Sequence, residues 1–339
     1  MSTEAQPAPA RAEAALRPVD FVKKVGKGRT LSQDLAPAEA RAAFDLLLDG
    51  AFLPAQFGAF LQALRIKELT QDELDALMAA FRARMRPLPP LAGDRTLVLN
   101  LASDTQRKGG LASLLAAFLL GRCGVGAGVL RSTPVLQGNR TSFEGTWELS
   151  GLLPDAYPRA AGAGPVPAEC SEVIPGLADL DGLRASLGFR SCLHTAEKLV
   201  NPWPASPMVL GISHKRYALR MAAAMAASGM NGKILLGNHG TADLVLHKET
   251  EIVSVDAGSV REESVSPEQL GLVLSPDVYS LARFPQWREW LEAPGDNGLR
   301  KAVRYHLAVL LWAAGAAPDP AAGLAAARRS IPTLFPEEA

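Results

Sequence analysis

Aromatic residues are scarce in this chain. Phe, Trp and Tyr together make up 6% of 339 residues, whereas hydrophobic residues as a whole reach 48%. A core of that size must be built mainly from Ala, Leu and Val, which favours helices packed against a sheet over an aromatic-rich β-sandwich. Net charge is lacking too, since Lys plus Arg and Asp plus Glu each number 35. That balance argues against a strongly basic nucleic-acid binder but leaves room for a local basic patch, because it is a global sum. Cysteine is sparse: Cys123, Cys170 and Cys192 form no CxxC pair, so neither zinc nor a disulfide framework is expected, and a reducing compartment fits. No run reaches the ~18 apolar residues of a membrane helix, and the longest, Leu111 to Leu120, has the length of a core helix. Met1 to Pro18 has no apolar signal-peptide core and reads as a floppy tail. The expected location is cytoplasmic, with no membrane partner. Walker A, HExxH and GxSxG motifs are absent, and Ser103 and Ser132 have no His–Asp arrangement to support them.

What is present changes character at a proline break. From Val19 to Arg86 the pattern is helical. Pro37 precedes a helix over Ala38 to Leu48 that Gly50 ends. Pro54 opens the next, with Phe57, Phe60, Leu61 and Leu64 on one face. Thr70 and Glu73 form a capping box for a helix carrying Leu74, Leu77, Met78 and Phe81. Pro87, Pro89 and Pro90 then mark a boundary between a helical domain at 19–90 and a second domain at 91–339, with 1–18 as tail. Beyond it, strands alternate with helices: a strand at Thr96 to Leu101, a helix at Leu111 to Cys123, then strands at Val129 and at Glu172 to Ile174. Met208 to Ile212 is a strand, Lys215 to Ser228 a helix, and Lys233 to Leu236, Leu244 to His247 and Glu251 to Val255 are strand-like. Leu299 to Ile331 is helical again. The alternation predicts an α/β fold with a largely parallel sheet covered by helices. Gly124-Val125-Gly126-Ala127-Gly128 lies after a helix and before a strand, the reverse of a dinucleotide fingerprint, so its glycines are expected to end the helix and turn the chain.

The stretch Pro54-Ala55-Gln56-Phe57-Gly58-Ala59-Phe60-Leu61-Gln62-Ala63-Leu64-Arg65-Ile66-Lys67 resembles the N-terminal helical domain of the anthranilate phosphoribosyltransferase family, glycosyltransferase family 3. That family typically reads PxQxGAFLxALRxKGxTxEE there, and this chain departs at Glu68, where Gly is usual. Leu187-Gly188-Phe189-Arg190 through Asn201-Pro202, Gly211 to Tyr217, Ser266 to Leu272 and Tyr305 to Ile331 continue the resemblance in order. It implies a small all-helical N-terminal domain, a large α/β domain with a mostly parallel central sheet, and a homodimer formed through the N-terminal helices.

The resemblance fails where the family's chemistry sits. The family places a glycine-rich GTGGD loop after the first strand of the large domain to hold phosphoribosyl pyrophosphate. Here Asn100-Leu101-Ala102-Ser103-Asp104 puts side chains where backbone must approach phosphate. The family supplies an acidic pair for Mg2+ soon after an HG turn. Here His239-Gly240 is followed by Thr241-Ala242-Asp243-Leu244-Val245-Leu246, which leaves Asp243 as a lone acid. Gly138-Asn139-Arg140 is read as an ordinary turn, because the family's KHGNR motif aligns near Ser132-Thr133. Arg190 matches an arginine that holds the aromatic carboxylate in the enzyme, yet the FNxxGPL stretch after it has become Cys192 to Leu199. Loss of the phosphate loop together with the metal pair removes the charge neutralisation that departing pyrophosphate requires.

Other residues offer a different chemistry. Arg107-Lys108-Gly109-Gly110 precedes a helix, and two readings stand: an anion site at a helix N-terminus, or a solvated loop tip. A divergent YbiB-like branch of the family has a basic pair here and a HTLxKL stretch resembling His194 to Leu199, Lys198 included. That branch is associated with nucleic-acid binding of little sequence preference, which rests on Lys and Arg meeting phosphates. Lys23, Lys24, Lys27, Arg29, Arg82, Arg84 and Arg86 are either solvated helix faces or extensions of a basic track. Lys215 and Arg216 are expected to face the crevice at the carboxyl ends of the strands, with His194 and His239 nearby as hydrogen-bonding residues. The first expectation is therefore a non-catalytic homodimer that uses no cofactor and binds DNA or RNA. The second is a phosphoribosyltransferase with an altered substrate, using Mg2+ and phosphoribosyl pyrophosphate. A regulatory dimer that binds a small anion is the third.

Overall fold

The computed structural model describes residues 16–28, 30–102, 112–132, 164–275, 293 and 295–336. The chain opens with four helices: α1 (Pro18–Val25), α2 (Pro37–Leu48), α3 (Pro54–Lys67) and α4 (Gln71–Arg84). Proline occupies the first turn of the first three, where its missing N–H costs nothing. The box at α4 forms as its sequence predicts: Glu73 N donates to Thr70 Oγ1 at 3.2 Å, and Thr70 N donates to Glu73 Oε2 at 2.9 Å. Phe44, Phe57, Phe60, Leu61, Leu64, Leu77 and Phe81 are fully buried between the four helices.

The larger layer comprises β1 (Arg95–Asn100), α5 (Ala112–Leu120), β2 (Val125–Arg131), β3 (Val166–Glu169), α6 (Cys170–Val173), α7 (Pro175–Ser186), α8 (Cys192–Glu197), β4 (Met208–Gly211), α9 (Lys215–Ala227), β5 (Gly232–Leu235), β6 (Thr250–Asp256), β7 (Ser259–Val265), α10 (Gly298–Ala313) and α11 (Pro320–Ser330). Seven strands form one sheet in the order β3-β2-β1-β4-β5-β6-β7, parallel up to β5 and antiparallel for the last two. The short β6–β7 connection, with Ala257 at φ 46° and Gly258 at φ 79°, has the positive angles of a two-residue hairpin.

Side chains alternate across this sheet. Leu97 and Leu99 of β1 join α5, α10 and α11 in one core, while Val98 joins the helical domain, α8 and α9 in the other. The helical domain therefore covers one sheet face, and the crevice between them opens at the carboxyl end of β4.

Three expectations are corrected here. Glu172 to Ile174 is not a strand. The strand lies earlier, at Val166–Glu169, and Cys170–Val173 is a helical turn that Glu172 caps by accepting from Glu169 N at 3.1 Å. Leu244 to His247 is buried or bent chain rather than strand, because Leu244 N and Val245 N donate to side chains, His306 Nε2 and Thr250 Oγ1, instead of to a neighbouring strand. Its apolar pattern reflects burial, and the partner of β6 is the charged β7, which periodicity did not reveal. Of the five-residue glycine run, Gly124 caps the preceding turn at φ 75°, but Gly126 and Gly128 lie inside β2. A Cβ on Gly128 would sit 2.6 Å from the Trp203 ring, so close packing explains it.

Candidate functional site

At the carboxyl end of β4 the chain closes tightly on itself. A Cβ on Gly211 would stand 1.8 Å from the Thr241 carbonyl oxygen, so this strand end and the turn at Asn238–Gly240 approach at backbone distance. Lys198, just past α8, ties them together: its Nζ donates to Gly211 O at 2.6 Å and to Gly240 O at 3.1 Å. The resulting floor faces the helical domain across a cavity of about 420 Å³.

Cations gather around this cavity. Arg190 lies on the segment leading into α8, and Arg65 of α3 stacks over the Phe189 ring at 5.2 Å. Arg220 of α9 reaches the Leu69 carbonyl on the opposite wall. His194 accepts from Ser191 N through Nδ1 at 3.2 Å, so its proton resides on Nε2. Burial, aided by the charges of Arg184 and Arg190, pushes its pKa down to about 3 and keeps the ring neutral. Ser213, His214 and Tyr217 add polar atoms, while Leu64, Leu74, Ile212 and Met221 supply apolar wall. Among the described lining residues the one carboxylate is Glu68, whose Oε1 accepts from Arg216 Nη2 at 2.7 Å. Such an arrangement attracts anions, and its apolar wall suits a ring or ribose next to the charge.

Of the residues singled out from sequence, Arg190, His194 and Lys198 line this cavity. Lys215 does not. Its Nζ is held by Glu251 at 2.7 Å and Glu262 at 2.6 Å on β6 and β7, which raise its pKa and turn it from the crevice. Arg216 stands at the rim, committed to Glu68. His239 is exposed outside the cavity in a left-handed conformation, φ 51°. Arg107, Lys108, Gly109 and Gly110 lie outside the described residues, as does Gly138-Asn139-Arg140. Of the proposed extensions of a basic track, two are committed to carboxylates: Lys24 pairs with Glu39, and Arg84 with Asp45 and Asp49. Arg65, Ser213, His214, Tyr217 and Arg220 were not singled out as site residues. Tyr217 and Arg220 were legible as one helix face at i, i+3 spacing, whereas Arg65 needed the tertiary fold.

The turn after His239-Gly240 tests the fit to magnesium at the place where the family resemblance puts its ligands. Val245 and Leu246 are buried apolar side chains. Asp243 points inward: its Oδ1 accepts from Ser113 N at 3.0 Å and Ser113 Oγ at 2.6 Å, at the start of α5. Burial raises its pKa to about 7. His306 Nε2 lies 3.7 Å away but accepts from Leu244 N at 2.8 Å, while its Nδ1 donates to Ala302 O at 2.7 Å. Those two backbone partners define a neutral imidazole, and burial lowers its pKa to about 4, so Asp243 gains no cation there. One fully buried carboxyl with its oxygen already committed does not fit a hard divalent ion, which needs several accessible oxygens. Among the described residues no cluster of three or more His, Cys, Asp or Glu offers another metal site.

Known proteins agree with this layout. Residues 19–85 match the model described as "Glycosyl transferase family, helical bundle domain", and residues 171–333 match "Glycosyl transferase family, a/b domain". The chain is 30% identical over 311 residues to the anthranilate phosphoribosyltransferase of Anaeromyxobacter sp., covering 84% of this chain and 87% of that protein. It is 29% identical over 326 residues to that of Parasynechococcus marenigrum, with 90% and 89% covered. Its fold is like that of anthranilate phosphoribosyltransferase from Thermus thermophilus, with a TM-score of 0.68 at 23% identity and 93% and 95% covered. The Saccharomyces cerevisiae enzyme, solved in complex with PRPP and Mg, gives a TM-score of 0.68 at 15% identity, with 95% of each chain covered. No described helix is long and apolar enough to cross a membrane. With both domain models matched and the likeness running through both layers, this chain belongs to the glycosyl transferase family that includes the anthranilate phosphoribosyltransferases.

Proposed function

We propose that this protein is a glycosyl transferase with an altered substrate, binding an anionic ligand in the cleft between its helical and α/β layers without magnesium. The carrying observation is the convergence of Arg190, Arg65, Arg220 and Lys198 on one cavity whose single described carboxylate is already paired. Relatives named for anthranilate and a phosphoribosyl group handle an aromatic acid and a sugar phosphate, and both chemistries suit a cationic cleft with an apolar wall. Arg190 holds the ligand's carboxylate or phosphate. Lys198 fixes the cleft floor through two carbonyls, and neutral His194 offers a hydrogen bond without adding charge. A cytoplasmic homodimer is part of this reading, and the exposed Leu31, Leu53 and Ile66 of the helical domain support its self-association.

Thermal shift with phosphoribosyl pyrophosphate and with aromatic carboxylates, each with and without magnesium, tests the reading. Binding insensitive to magnesium and weakened by Arg190→Ala is expected. No shift with any of these anions at millimolar concentration refutes it.

A second reading is favoured by one observation, the replacement of the expected metal ligands by buried Val245 and Leu246. On it the protein is a non-catalytic YbiB-like binder of DNA or RNA, for which phosphate contacts need no metal. Anisotropy of a labelled single-stranded oligonucleotide at low and physiological salt separates the two. Steeply salt-dependent binding, weakened in an Arg107→Ala, Lys108→Ala double variant, selects the nucleic-acid reading. Absence of binding at low salt removes it.

A further inference from the structure

Glu68 closes α3 with φ 63° and ψ 144°, a conformation that residues with a side chain rarely adopt and that persists only where the surroundings enforce it. Its neighbours supply the enforcement. Lys67 Nζ donates to the Glu68 carbonyl at 3.1 Å, Arg220 grips the next carbonyl at Leu69, and Thr70 begins α4 with its N–H on Glu73. Held this way, the Glu68 carboxylate projects across the cleft to the α/β layer. There its Oε1 accepts from Arg216 Nη2 at 2.7 Å and from Tyr217 Oη at 3.4 Å. Arg216 in turn lies over the Tyr217 ring at 5.0 Å. Glu68 and Tyr217 line the cavity, so this cluster stands at its mouth.

We infer that Glu68 is a built-in competitor for the anion bound in this cleft, its carboxylate occupying Arg216 until a ligand phosphate displaces it. The inference rests on the anion-binding reading of the cavity. Arg216 and Glu68 are 62% and 42% exposed, so their pairing is weak and reversible. A phosphate group offers Arg216 a more highly charged, bidentate partner than the Glu68 monoanion. A ligand with a single carboxylate offers only the chemistry that Glu68 already provides. Glu68 therefore biases the cleft toward phosphate-bearing ligands and against simple carboxylates. It also adds negative charge at the entrance, which every incoming anion must pass.

Calorimetric titration of the full chain with inorganic pyrophosphate and with benzoate tests this. The proteins compared are the wild type, Glu68→Gln, Arg190→Ala and the double variant Glu68→Gln, Arg216→Gln. Gln is nearly isosteric and keeps an acceptor for Arg216, so the turn is retained while the charge is lost. Glu68→Gln is expected to bind pyrophosphate about two- to five-fold tighter, the worth of an exposed ion pair. Its gain for benzoate should be at least as large, which narrows the preference between the two ligands. Replacing Arg216 as well should abolish the gain. Unchanged or weaker binding in Glu68→Gln, with Arg190→Ala still impaired, overturns the role of Glu68 and leaves the cleft reading standing. Absence of binding in both the wild type and Glu68→Gln, or affinity unaltered in Arg190→Ala, overturns the cleft reading and this inference with it.

Discussion

Replacing Asp243 with Asn should make the protein more stable at pH 8, and by much less at pH 4.5. Asp243 is fully buried, and its carboxyl has an ordinary pKa of 3.8 raised to about 7 by desolvation, against the hydrogen bonds from Ser113. The groups facing it are Ser113 of α5 and His306 of α10, and both are neutral. Between pH 4 and 7 the folded state therefore holds a proton that the unfolded chain has released. Stability then falls as pH rises through this window, and the loss is complete above about pH 7. A difference of about 3 units at about 1.4 kcal/mol each amounts to about 4 kcal/mol. Asn copies the protonated carboxyl: its Oδ1 still accepts both Ser113 bonds, and it never ionises. Urea denaturation followed by circular dichroism across pH 4.5 to 8 should show the two proteins diverging steadily, with the variant ahead at the alkaline end. His194 and His306, whose pKa values fall to about 3 and about 4, work in the opposite direction. They remain neutral when folded, so stability is lost as pH drops below their unfolded value near 6.5. Both proteins share that acid limb, and it cancels in the comparison. Parallel curves for wild type and variant would refute the assignment of Asp243 as a buried acid that titrates near neutrality.

Glu73 is wholly buried and accepts from Leu35 N at 2.9 Å, Thr70 N at 2.9 Å and Lys67 Nζ at 2.6 Å. Glu73→Ala strands two backbone donors and removes one of the two carboxylates that hold Lys67, Asp34 remaining at 2.7 Å; it should cost about 2–4 kcal/mol in chemical denaturation, whereas Glu73→Gln, which retains an acceptor, should cost visibly less. Gly211→Ala places a methyl 1.8 Å from the Thr241 oxygen and should lower stability by about 1–3 kcal/mol or more. It should also weaken anion binding by shifting the carbonyl that anchors Lys198, so an unchanged denaturation midpoint would contradict the close approach of these two segments.

Local signals carried most of the fold. The Thr70–Glu73 box, the prolines opening α2 and α3, and the apolar stripe from Phe57 to Leu64 each specify their element through contacts within one turn or one helix face, and each formed. The misreadings arose where burial and hydrogen bonding part company. Leu244 to Leu246 are apolar because they are buried, yet their N–H groups seek His306 and Thr250, a choice made by residues distant in the chain or outside the run. β7, with the sequence Ser-Val-Arg-Glu-Glu-Ser-Val, has little apolar pattern because this edge strand is exposed on both faces over its first four residues and buries only Val265. For the cleft, Arg190, His194 and Lys198 were legible through their resemblance to a family motif. The status of Lys215 was not, because the acids that neutralise it come from β6 and β7, 36 and 47 positions further along.

The inward turn of Asp243 also bears on how any ligand is held. In a fold expected to present carboxylates to a metal after its HG turn, this chain uses the same segment as a joint between the sheet, α5 and α10. On the proposed reading, negative charge entering the cleft is met among the described residues by side chains distributed over both layers: Arg65 on α3, Arg190 before α8, Arg220 on α9. Direct pairing of partly exposed charges is screened by salt, whereas metal-bridged binding would respond to magnesium. Affinity should therefore fall with ionic strength at constant magnesium and stay level with magnesium at constant ionic strength. The reverse pattern, measured with pyrophosphate, would mean that the charge compensation comes from an ion and that the arginines serve only to shape the walls.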